Sequence, residues 1–586
     1  MRSTKNWLIP ESVRLLSQVI LVYTALTVFV FRNFIPHFDS ALIGPPEDNM
    51  QDFWNTWYAA SQVRSFHDLL YTKLLRFPEG TTLYYHSFSY PKIFLARIFG
   101  ALFGTHLTSL IGFENLLLLI SFPVSAIGAF YLMRHFTRDV IGALIGGAIF
   151  AFNPSHIAHV AHHMHVSSIE FIPFFAWTYI LALERQRWIF VLLSTLCIAL
   201  SALSSWYYLF YCLYFMLFYY VFLAIKQKRL LQAWPLRVIL CNVVGLLVLL
   251  SPLLAPMVAQ ALSGADVYAE GGDRFVADVV AYVAFPPSHL LSAISTGIYP
   301  HLTGTKWEAT VYLGMVNIAL LAWLALRREQ LDRELIAFVF SGMAVFGMLA
   351  SGEHLHILGH SSFGGHHSFG RYIAEHYGLQ IRIPLPDLLL DRLPFFKNIR
   401  TPSRSILLVY MFLSIGVGYA ISVIWREHRR TWVGKSVVAG LVLVIALDWY
   451  PRPLPRTPLV CPPAYVLLSQ DADRRAGVLD LPRGVIEGRG YVEGNVYMMY
   501  QACHLHPIVN GTISRIVNKT LADQLVTDDL EEQRQQLVEN NVKYIVIHPP
   551  NGGLFEWSPE DGQITQYLKT YPVVYSGDDA TVLKVY

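Results

Sequence analysis

The sequence contains few charged residues for its length. Only 15% of its 586 residues are Asp, Glu, Lys or Arg, and 54% are hydrophobic, whereas soluble domains typically carry about 25% charged residues. This shortage excludes an ordinary soluble enzyme and indicates a protein of the lipid bilayer. The formal net charge of +3 says little by itself, and we expect no nucleic-acid partner.

Cysteine is also scarce, and the five cysteines divide between apolar runs and one polar region. Three of the five lie inside apolar runs, where they are expected to pack as small hydrophobic side chains. Cys461 and Cys503 fall in a polar region, and they could form a disulfide if that region is extracytoplasmic. No small-residue cleavage site follows the first apolar stretch, so we expect a retained first span and not a signal peptide.

Long apolar runs are abundant. A membrane-spanning helix needs roughly 17 to 25 apolar residues, and the sequence predicts an α-helical polytopic membrane protein with about eleven such helices. The segment 93–106 contains Arg97 and is too short to cross, so we expect it at the membrane interface. The predicted spans are 12–32, 108–133, 139–153, 167–184, 188–204, 206–225, 237–258, 309–326, 334–351, 404–424 and 434–450.

The connections between these runs differ in length and charge. Alternate connections are short and rich in Arg and Lys, which is typical of cytoplasmic loops. This pattern predicts a cytoplasmic N-terminus and an extracytoplasmic C-terminus, in what we expect to be a bacterial inner membrane. The large external loops are then 33–107, 154–166, 259–308 and 352–403.

The composition becomes ordinary after Pro451. We therefore predict a transmembrane domain over 1–451 and a small soluble extracytoplasmic α/β domain over 452–586. Strand-like runs at 477–482, 544–549, 572–575 and 581–586 flank a polar helical stretch at 519–541.

Acidic residues lie directly after the first span. Glu47, Asp48 and Asp52 precede the aromatic run FWNTW, and carboxylates at a membrane mouth can act as a general base or bind a metal. Asp48 and Asp52 are four residues apart, so they would share one face of a helix. The alternative is a solvated loop followed by an interfacial aromatic helix.

Histidines mark the first and second external loops. His86 ends the stretch FPEGTTLYYH, which could stack on a sugar ring or belong to an interfacial aromatic belt. The stretch NPSHIAHVAHHMH contains His159, His162 and His163. His159 and His163 could ligate a metal from one helical face, transfer protons, or pack at the interface.

An acid and two arginines lie at the edges of later spans. Glu308 follows Trp307 directly before a predicted span, which is also a favourable position for a carboxylate at a helix start. Arg400 and Arg404 in RTPSR form a basic cluster on the external side, against the charge rule. They are suited to a lipid phosphate, although generic interfacial anchoring is the alternative.

Taken together, these stretches resemble the GT-C superfamily of membrane glycosyltransferases, in particular bacterial multi-span proteins with FWNTW-, FPEGTTLYYH-, NPSHIAHVAHHMH-, VYLG- and RTPSR-like segments. The resemblance covers nearly the whole chain. It implies a hexosyltransferase-type enzyme that takes a sugar from a polyprenyl-phosphate donor in the membrane lipid and passes it to a glycan, lipid or protein acceptor.

The resemblance also implies roles for individual residues. Asp48 is the first candidate base, with Asp52 and Glu47 as neighbouring catalytic candidates. No metal ligand is assigned, and Mg²⁺ or Mn²⁺ stays an open alternative. The candidate substrate-binding residues are His86, His159, His162, His163, Glu308, Arg400 and Arg404.

Two other functions compete with sugar transfer. A transporter would also have many spans, but transporters usually place ionisable residues near the bilayer midplane, and the confident spans here are almost free of charge. A non-enzymatic protein that binds lipid-linked glycans is the second alternative, because fold likeness does not establish activity.

Overall fold

The computed structural model describes most of the chain as α-helix. The described residues are 11–229, 231–263, 272–305, 307–362, 382–390, 392–393, 396, 399–483, 491–514, 519–526, 529–549 and 564–586. Part of the predicted loop 352–403 lies outside them.

The helices and strands follow the sequence in this order. The α-helices are α1 (Glu11–Val30), α2 (Asp48–Ser61), α3 (Tyr90–Phe103), α4 (Leu107–Thr137), α5 (Val140–Ala151), α6 (Pro154–His162), α7 (Phe171–Arg185), α8 (Trp188–Ser204), α9 (Trp206–Gln227), α10 (Ala233–Leu262), α11 (Met315–Leu326), α12 (Arg333–Ala350), α13 (Asp387–Leu390), α14 (Ile406–His428), α15 (Trp432–Asp448), α16 (Pro463–Leu468), α17 (Tyr491–His504), α18 (Leu521–Gln524), α19 (Leu530–Glu539) and α20 (Ile564–Thr570). The strands are β1 (Ala41–Ile43), β2 (Tyr71–Thr72), β3 (Thr81–Thr82), β4 (Arg456–Pro458), β5 (Gly477–Leu481), β6 (Val542–Ile547), β7 (Val573–Ser576) and β8 (Thr581–Lys584).

The chain is a multi-pass α-helical membrane protein. Within the described ranges, eight helical segments are long and apolar enough to cross a membrane, and α8 and α11 are shorter apolar helices. Each predicted apolar run contains a helix, whereas the number of crossings and their orientation stay predictions. The predicted loop 154–166 is largely helical, because α6 begins three residues after α5 ends.

Helix α14 lies at the centre of the helical bundle. Residues 402–423, which include most of this helix, are buried except for the partly exposed Tyr419. Gly418 of α14 faces Gly142 of α5 so closely that a Cβ at residue 418 would lie 2.7 Å from the Gly142 carbonyl oxygen. Small residues permit this approach of two backbones, which is a common way to pack helices in membranes.

The C-terminal residues form a small mixed sheet. Its strand order is β5-β6-β8-β7, in which β5 pairs with β6 in parallel and the other pairs are antiparallel. These strands match the four predicted runs. The predicted helical stretch 519–541 contains two separate helices in its described part, α18 and α19.

The first external loop packs directly against the C-terminal residues. Strand β1 pairs with β4, and the Trp54 indole Nε1 of α2 donates to Gln501 Oε1 of α17 at 2.7 Å. Buried side chains of 42–113 and 459–582 belong to one hydrophobic cluster. A disulfide joins Cys461 and Cys503 beside this contact. The two parts therefore share a core, and a domain boundary at 452 stays a prediction.

The α5–α14 contact gives a test of the bundle. Gly418→Ala should lower the thermal stability of the detergent-solubilised protein by about 1–3 kcal/mol, because the added methyl overpacks a closed contact. The matched control is Gly440→Ala in α15, where a Cβ would meet no atom within 4 Å. Alanine favours helix over glycine by roughly 0.5–1 kcal/mol, so this variant should melt at or above the wild-type temperature. Equal melting of both variants would contradict the packing.

Candidate functional site

The start of α2 holds the first-loop acids in place. Asn49 anchors this turn, because its Oδ1 accepts the Glu47 backbone N–H at 3.0 Å and its Nδ2 donates to the Ile43 carbonyl at 3.1 Å. Asn495 of α17 donates to the Glu47 carbonyl at 3.3 Å. The backbone of the acidic turn is therefore fixed by both β1 and the C-terminal residues.

The second external loop presents its histidines from α6 and the turn that follows. Asn153 caps α6, because its Oδ1 accepts the His156 backbone N–H at 2.8 Å. The His156 ring bonds two backbone carbonyls, at 2.6 and 2.8 Å, and stacks on Phe122, so this histidine is part of the scaffold. The later histidines of the loop face the first-loop acids.

Segments from the four predicted external loops meet in one chain of buried or partly buried groups, which we call the four-loop network: Asp48, His163, Glu308 and Arg404. The His163 Nδ1 lies 2.7 Å from Asp48 Oδ2, and its Nε2 lies 3.3 Å from Glu308 Oε1. Arg404 binds Glu308 through Nε, at 3.1 and 3.2 Å from the two carboxylate oxygens, and also through its terminal guanidinium nitrogen. Alternating negative and positive groups thus connect the first loop to the start of α14.

The electrostatics of this network favour its charged form. Burial opposes charge on His163, but the hydrogen bond to Asp48 and the nearby carboxylates outweigh it and raise the pKa of the imidazole. Burial likewise opposes charge on Glu308, yet the Arg404 guanidinium and the His159 ring hold the pKa of this carboxyl well below its usual range. Both shifts favour a protonated His163 between two carboxylates.

Three further groups support the network from its sides. His159 Nε2 lies 3.4 Å from Glu308 Oε2, and His162 Nδ1 lies 3.1 Å from Glu47 Oε2. The His162 ring stacks on Trp307, with ring centroids 3.4 Å apart. The predicted residues of the second and third loops therefore all lie in the four-loop network or contact a residue beside it.

Asp52 and His86 belong to a second, deeper cluster on α2. Asn55 connects them, because its Nδ2 lies 3.4 Å from Asp52 Oδ1 and its Oδ1 lies 2.9 Å from His86 Nε2. Burial raises the pKa of Asp52 well above its usual value and lowers the pKa of His86 to about 3. Asp52 Oδ2 has no hydrogen-bond partner among the described residues and lies 3.8 Å from His165 Nδ1. The pKa shifts of this cluster favour uncharged side chains, whereas those of the four-loop network favour charged ones.

The two arginines of RTPSR have different surroundings. Arg404 is buried, pairs with Glu308 and lies over the Tyr207 ring at 4.9 Å. Arg400 is half-buried, and within the described part of the chain it forms no hydrogen bond or ion pair. Sequence reasoning did not single out Tyr207 or Asn55 as site residues. No charge or motif marks them, and their contacts cross between distant segments.

Several solved structures share the architecture of this chain. The oligosaccharyltransferase of Archaeoglobus fulgidus in its apo form has a TM-score of 0.54 and 12% identity, over 92% of this chain and 70% of that protein. The same enzyme in complex with Zn and sulfate has a TM-score of 0.51 and 13% identity, over 96% of this chain and 72% of that protein. Arabinofuranosyltransferase AftD from Mycobacteria has a TM-score of 0.52 and 13% identity, over 97% of this chain and 40% of that longer protein.

The class and the family follow from these comparisons. The likeness establishes the GT-C fold of membrane glycosyltransferases. The chain belongs to the family described as Domain of unknown function (DUF6311), whose model matches residues 19–368. No curated protein matches the sequence.

The bridging histidine predicts a pH-dependent stability. Because the pKa of His163 is raised in the folded protein, its stabilisation is complete below the unfolded-state pKa and is lost as pH rises through the folded-state value. Thermal unfolding of His163→Gln should therefore lie roughly 1–3 °C below wild type near pH 6 and approach wild type in alkaline buffer. His106→Gln, at an exposed histidine, is the control. If the difference in melting temperature between His163→Gln and wild type instead widened as pH rises, the raised pKa of His163 would be refuted.

The buried ion pair predicts a non-additive pair of substitutions. Glu308→Gln leaves the buried Arg404 guanidinium without its carboxylate and should cost about 3–5 kcal/mol. The double variant Glu308→Gln/Arg404→Gln should recover much of this loss. The exposed pair Arg327–Glu427, at 3.2 Å, is the control, and Glu427→Gln there should cost about 0–1 kcal/mol. Additive losses in the buried pair, measured by thermal unfolding in detergent, would contradict the coupling.

Proposed function

We propose that this protein is a membrane glycosyltransferase that transfers a sugar from a polyprenyl-phosphate-linked donor to an acceptor on the extracytoplasmic side. The observation that carries the proposal is the four-loop network, in which a carboxylate, an imidazole, a second carboxylate and a guanidinium meet at the start of a buried helix. The GT-C fold supports the same reaction class.

Asp48 is the general base in this proposal. It accepts the proton of the acceptor hydroxyl while that oxygen bonds to the anomeric carbon, and the bond from that carbon to the donor phosphate oxygen breaks. The electron pair leaves with the polyprenyl phosphate. His163, held 2.7 Å from Asp48 Oδ2, keeps Asp48 ionised and oriented, and Glu308 holds His163 from its other side.

Asp52 has a different role, because burial raises its pKa well above the usual value. The raised pKa favours the protonated form of this carboxyl, which can donate a hydrogen bond. Its unbonded Oδ2 and the nearby His165 Nδ1 are suited to a sugar hydroxyl, with His86 and Asn55 fixing the Asp52 side chain. His159, His162 and Glu47 position the network.

Arg400 is the proposed contact for the departing phosphate. Its guanidinium has no described partner, whereas that of Arg404 is occupied by Glu308. A guanidinium can hold a phosphate through two parallel hydrogen bonds and stabilise the charge that develops on it. Arg404 is then a positioning residue that fixes Glu308.

The sidedness of the proposal is supported by the disulfide. Cys461–Cys503 lies in the C-terminal residues that cover the acidic turn, and disulfides persist in extracytoplasmic compartments. We therefore place the external loops and the residues after 452 on the extracytoplasmic face, with the N-terminus in the cytoplasm. We infer a bacterial inner membrane as the location.

Transfer can be measured directly in membranes that contain the protein. The assay uses polyprenyl-phosphate carrying radiolabelled hexoses or pentoses and follows label that leaves the lipid. Asp48→Asn should lower the rate constant about 10²–10⁴-fold, because general base catalysis contributes that much. Arg400→Ala should lower it too and should weaken competition by unlabelled polyprenyl phosphate.

Matched substitutions in the same loops keep the assay specific. Asp39→Asn removes an exposed acid of the first loop, and Arg392→Ala removes an exposed arginine of the fourth; both should transfer at the wild-type rate. Full activity of both Asp48→Asn and Arg400→Ala would remove these residues from the site. Binding of lipid-linked sugar without transfer by the wild type would favour the non-enzymatic binding protein.

A further inference from the structure

A second group of histidines and acids lies where the third and fourth external loops join. The segment 273–279 runs beside 350–356, with the Ala277 N–H bonded to the Ala350 carbonyl at 2.8 Å and the Val279 N–H to the His356 carbonyl at 3.0 Å. Asp273 closes the end of this pairing. None of the predicted site residues belongs to this group.

Asp273 is held firmly, and both of its oxygens have neighbours. Its Oδ1 accepts the backbone N–H groups of Glu353 and His354 at 3.1 and 3.3 Å, and its Oδ2 lies 2.7 Å from His354 Nδ1. Asp273, Glu353 and His354 each offer a ligand atom, and these atoms lie within 4.8 Å of one another. All three side chains are partly exposed, which leaves an entry path for an ion.

His356 supplies an independent observation. Its side chain is only 4% exposed, and its Nδ1 lies 2.9 Å from Thr303 Oγ1. Its Nε2 is buried without a hydrogen-bond partner and faces Asp273 Oδ1 at 3.7 Å. This separation is too long for a hydrogen bond, and a buried nitrogen without a partner costs free energy.

We propose that Asp273, Glu353, His354 and His356 bind one divalent metal ion, with Zn²⁺ preferred. Two imidazoles and two carboxylates are ligands that zinc accepts, and imidazole disfavours Mg²⁺ and Ca²⁺. Ligand atoms about 2.0–2.1 Å from a tetrahedral zinc lie roughly 3.3 Å from each other, close to the observed spacing of Asp273 Oδ1 and His356 Nε2.

The surroundings of His356 favour this role. When the Thr303 hydroxyl accepts from Nδ1–H, the lone pair of Nε2 points toward a carboxylate oxygen, and a cation between the two satisfies both. A hydrogen bond to the second ring nitrogen is also the usual way in which a ligand histidine is oriented.

The ion would fasten two loops beside the four-loop network. The Phe275 carbonyl, two residues after Asp273, accepts the backbone N–H of Ser403 at 3.2 Å, and Ser403 precedes Arg404. A metal at Asp273 would therefore stabilise the wall that carries Arg404. The proposal does not depend on sugar transfer, because it concerns different residues and has a binding readout.

The test measures metal bound to the full-length protein in detergent, purified with a tag that contains no histidine. After loading with ZnCl₂ and gel filtration, elemental analysis should find about one Zn²⁺ per wild-type chain. His356→Gln and Asp273→Asn should each weaken binding at least tenfold in competition with a chelator. The control His360→Gln, at an exposed histidine of the same loop, should bind as wild type does.

Cobalt gives a second readout that needs no variant. Co²⁺ bound to wild type should show the visible absorption of a four-coordinate site, and added Zn²⁺ should abolish it. The proposal is overturned if wild type retains no Zn²⁺, or if the spectrum of added Co²⁺ stays that of octahedral Co²⁺ in water. It is also overturned if both variants bind Zn²⁺ as tightly as wild type.

Discussion

The buried ion pair between Glu308 and Arg404 is the interaction on which the arrangement of the candidate site depends. Removing two charges from water costs several kcal/mol per ion, and only close geometry with further hydrogen bonds compensates for it. Here two imidazoles lie close to the Glu308 carboxylate, with His159 Nε2 3.4 Å from Oε2 and His163 Nε2 3.3 Å from Oε1. The pair therefore forms only when the second, third and fourth loops are all in place, and His163 extends the requirement to Asp48 and the first loop.

The parts of the fold that could be predicted are those encoded locally. Apolar runs long enough to span a bilayer contain helices in the structure, and the alternating runs after residue 477 are strands. The candidate residues of the network were also identifiable, because acids, histidines and arginines at membrane edges are unusual. Their pairing could not be predicted, because Asp48 and Arg404 are far apart in the sequence. No local pattern indicates which carboxylate contacts which basic side chain.

The neighbours of the two α2 acids decide what the sequence left open. Asp48 and Asp52 share one helix and look equivalent by composition. Asp48 faces His163, whose pKa is raised, whereas burial without such a partner raises the pKa of Asp52. Gln501 and Asn495, which are remote in sequence, help to fix the acidic helix. These contacts arise from a core shared by the first loop and the C-terminal residues, and composition gives no sign of it.

In the proposed function, charge balance gives the two arginines separate roles. In the proposed function Asp48 is ionised, and the pKa shifts favour the charged forms of His163 and Glu308. Two carboxylates then face an imidazolium and a guanidinium, and the charges of the four-loop network cancel. A neutral network gives little net attraction to a phosphate, and withdrawing Arg404 to bind one would expose Glu308. An arginine outside the network, such as Arg400, can bind the phosphate without this cost. In the proposed reaction Asp48 gains a proton, and the four-loop network then carries one excess positive charge. This charge favours the phosphate that has just become more negative.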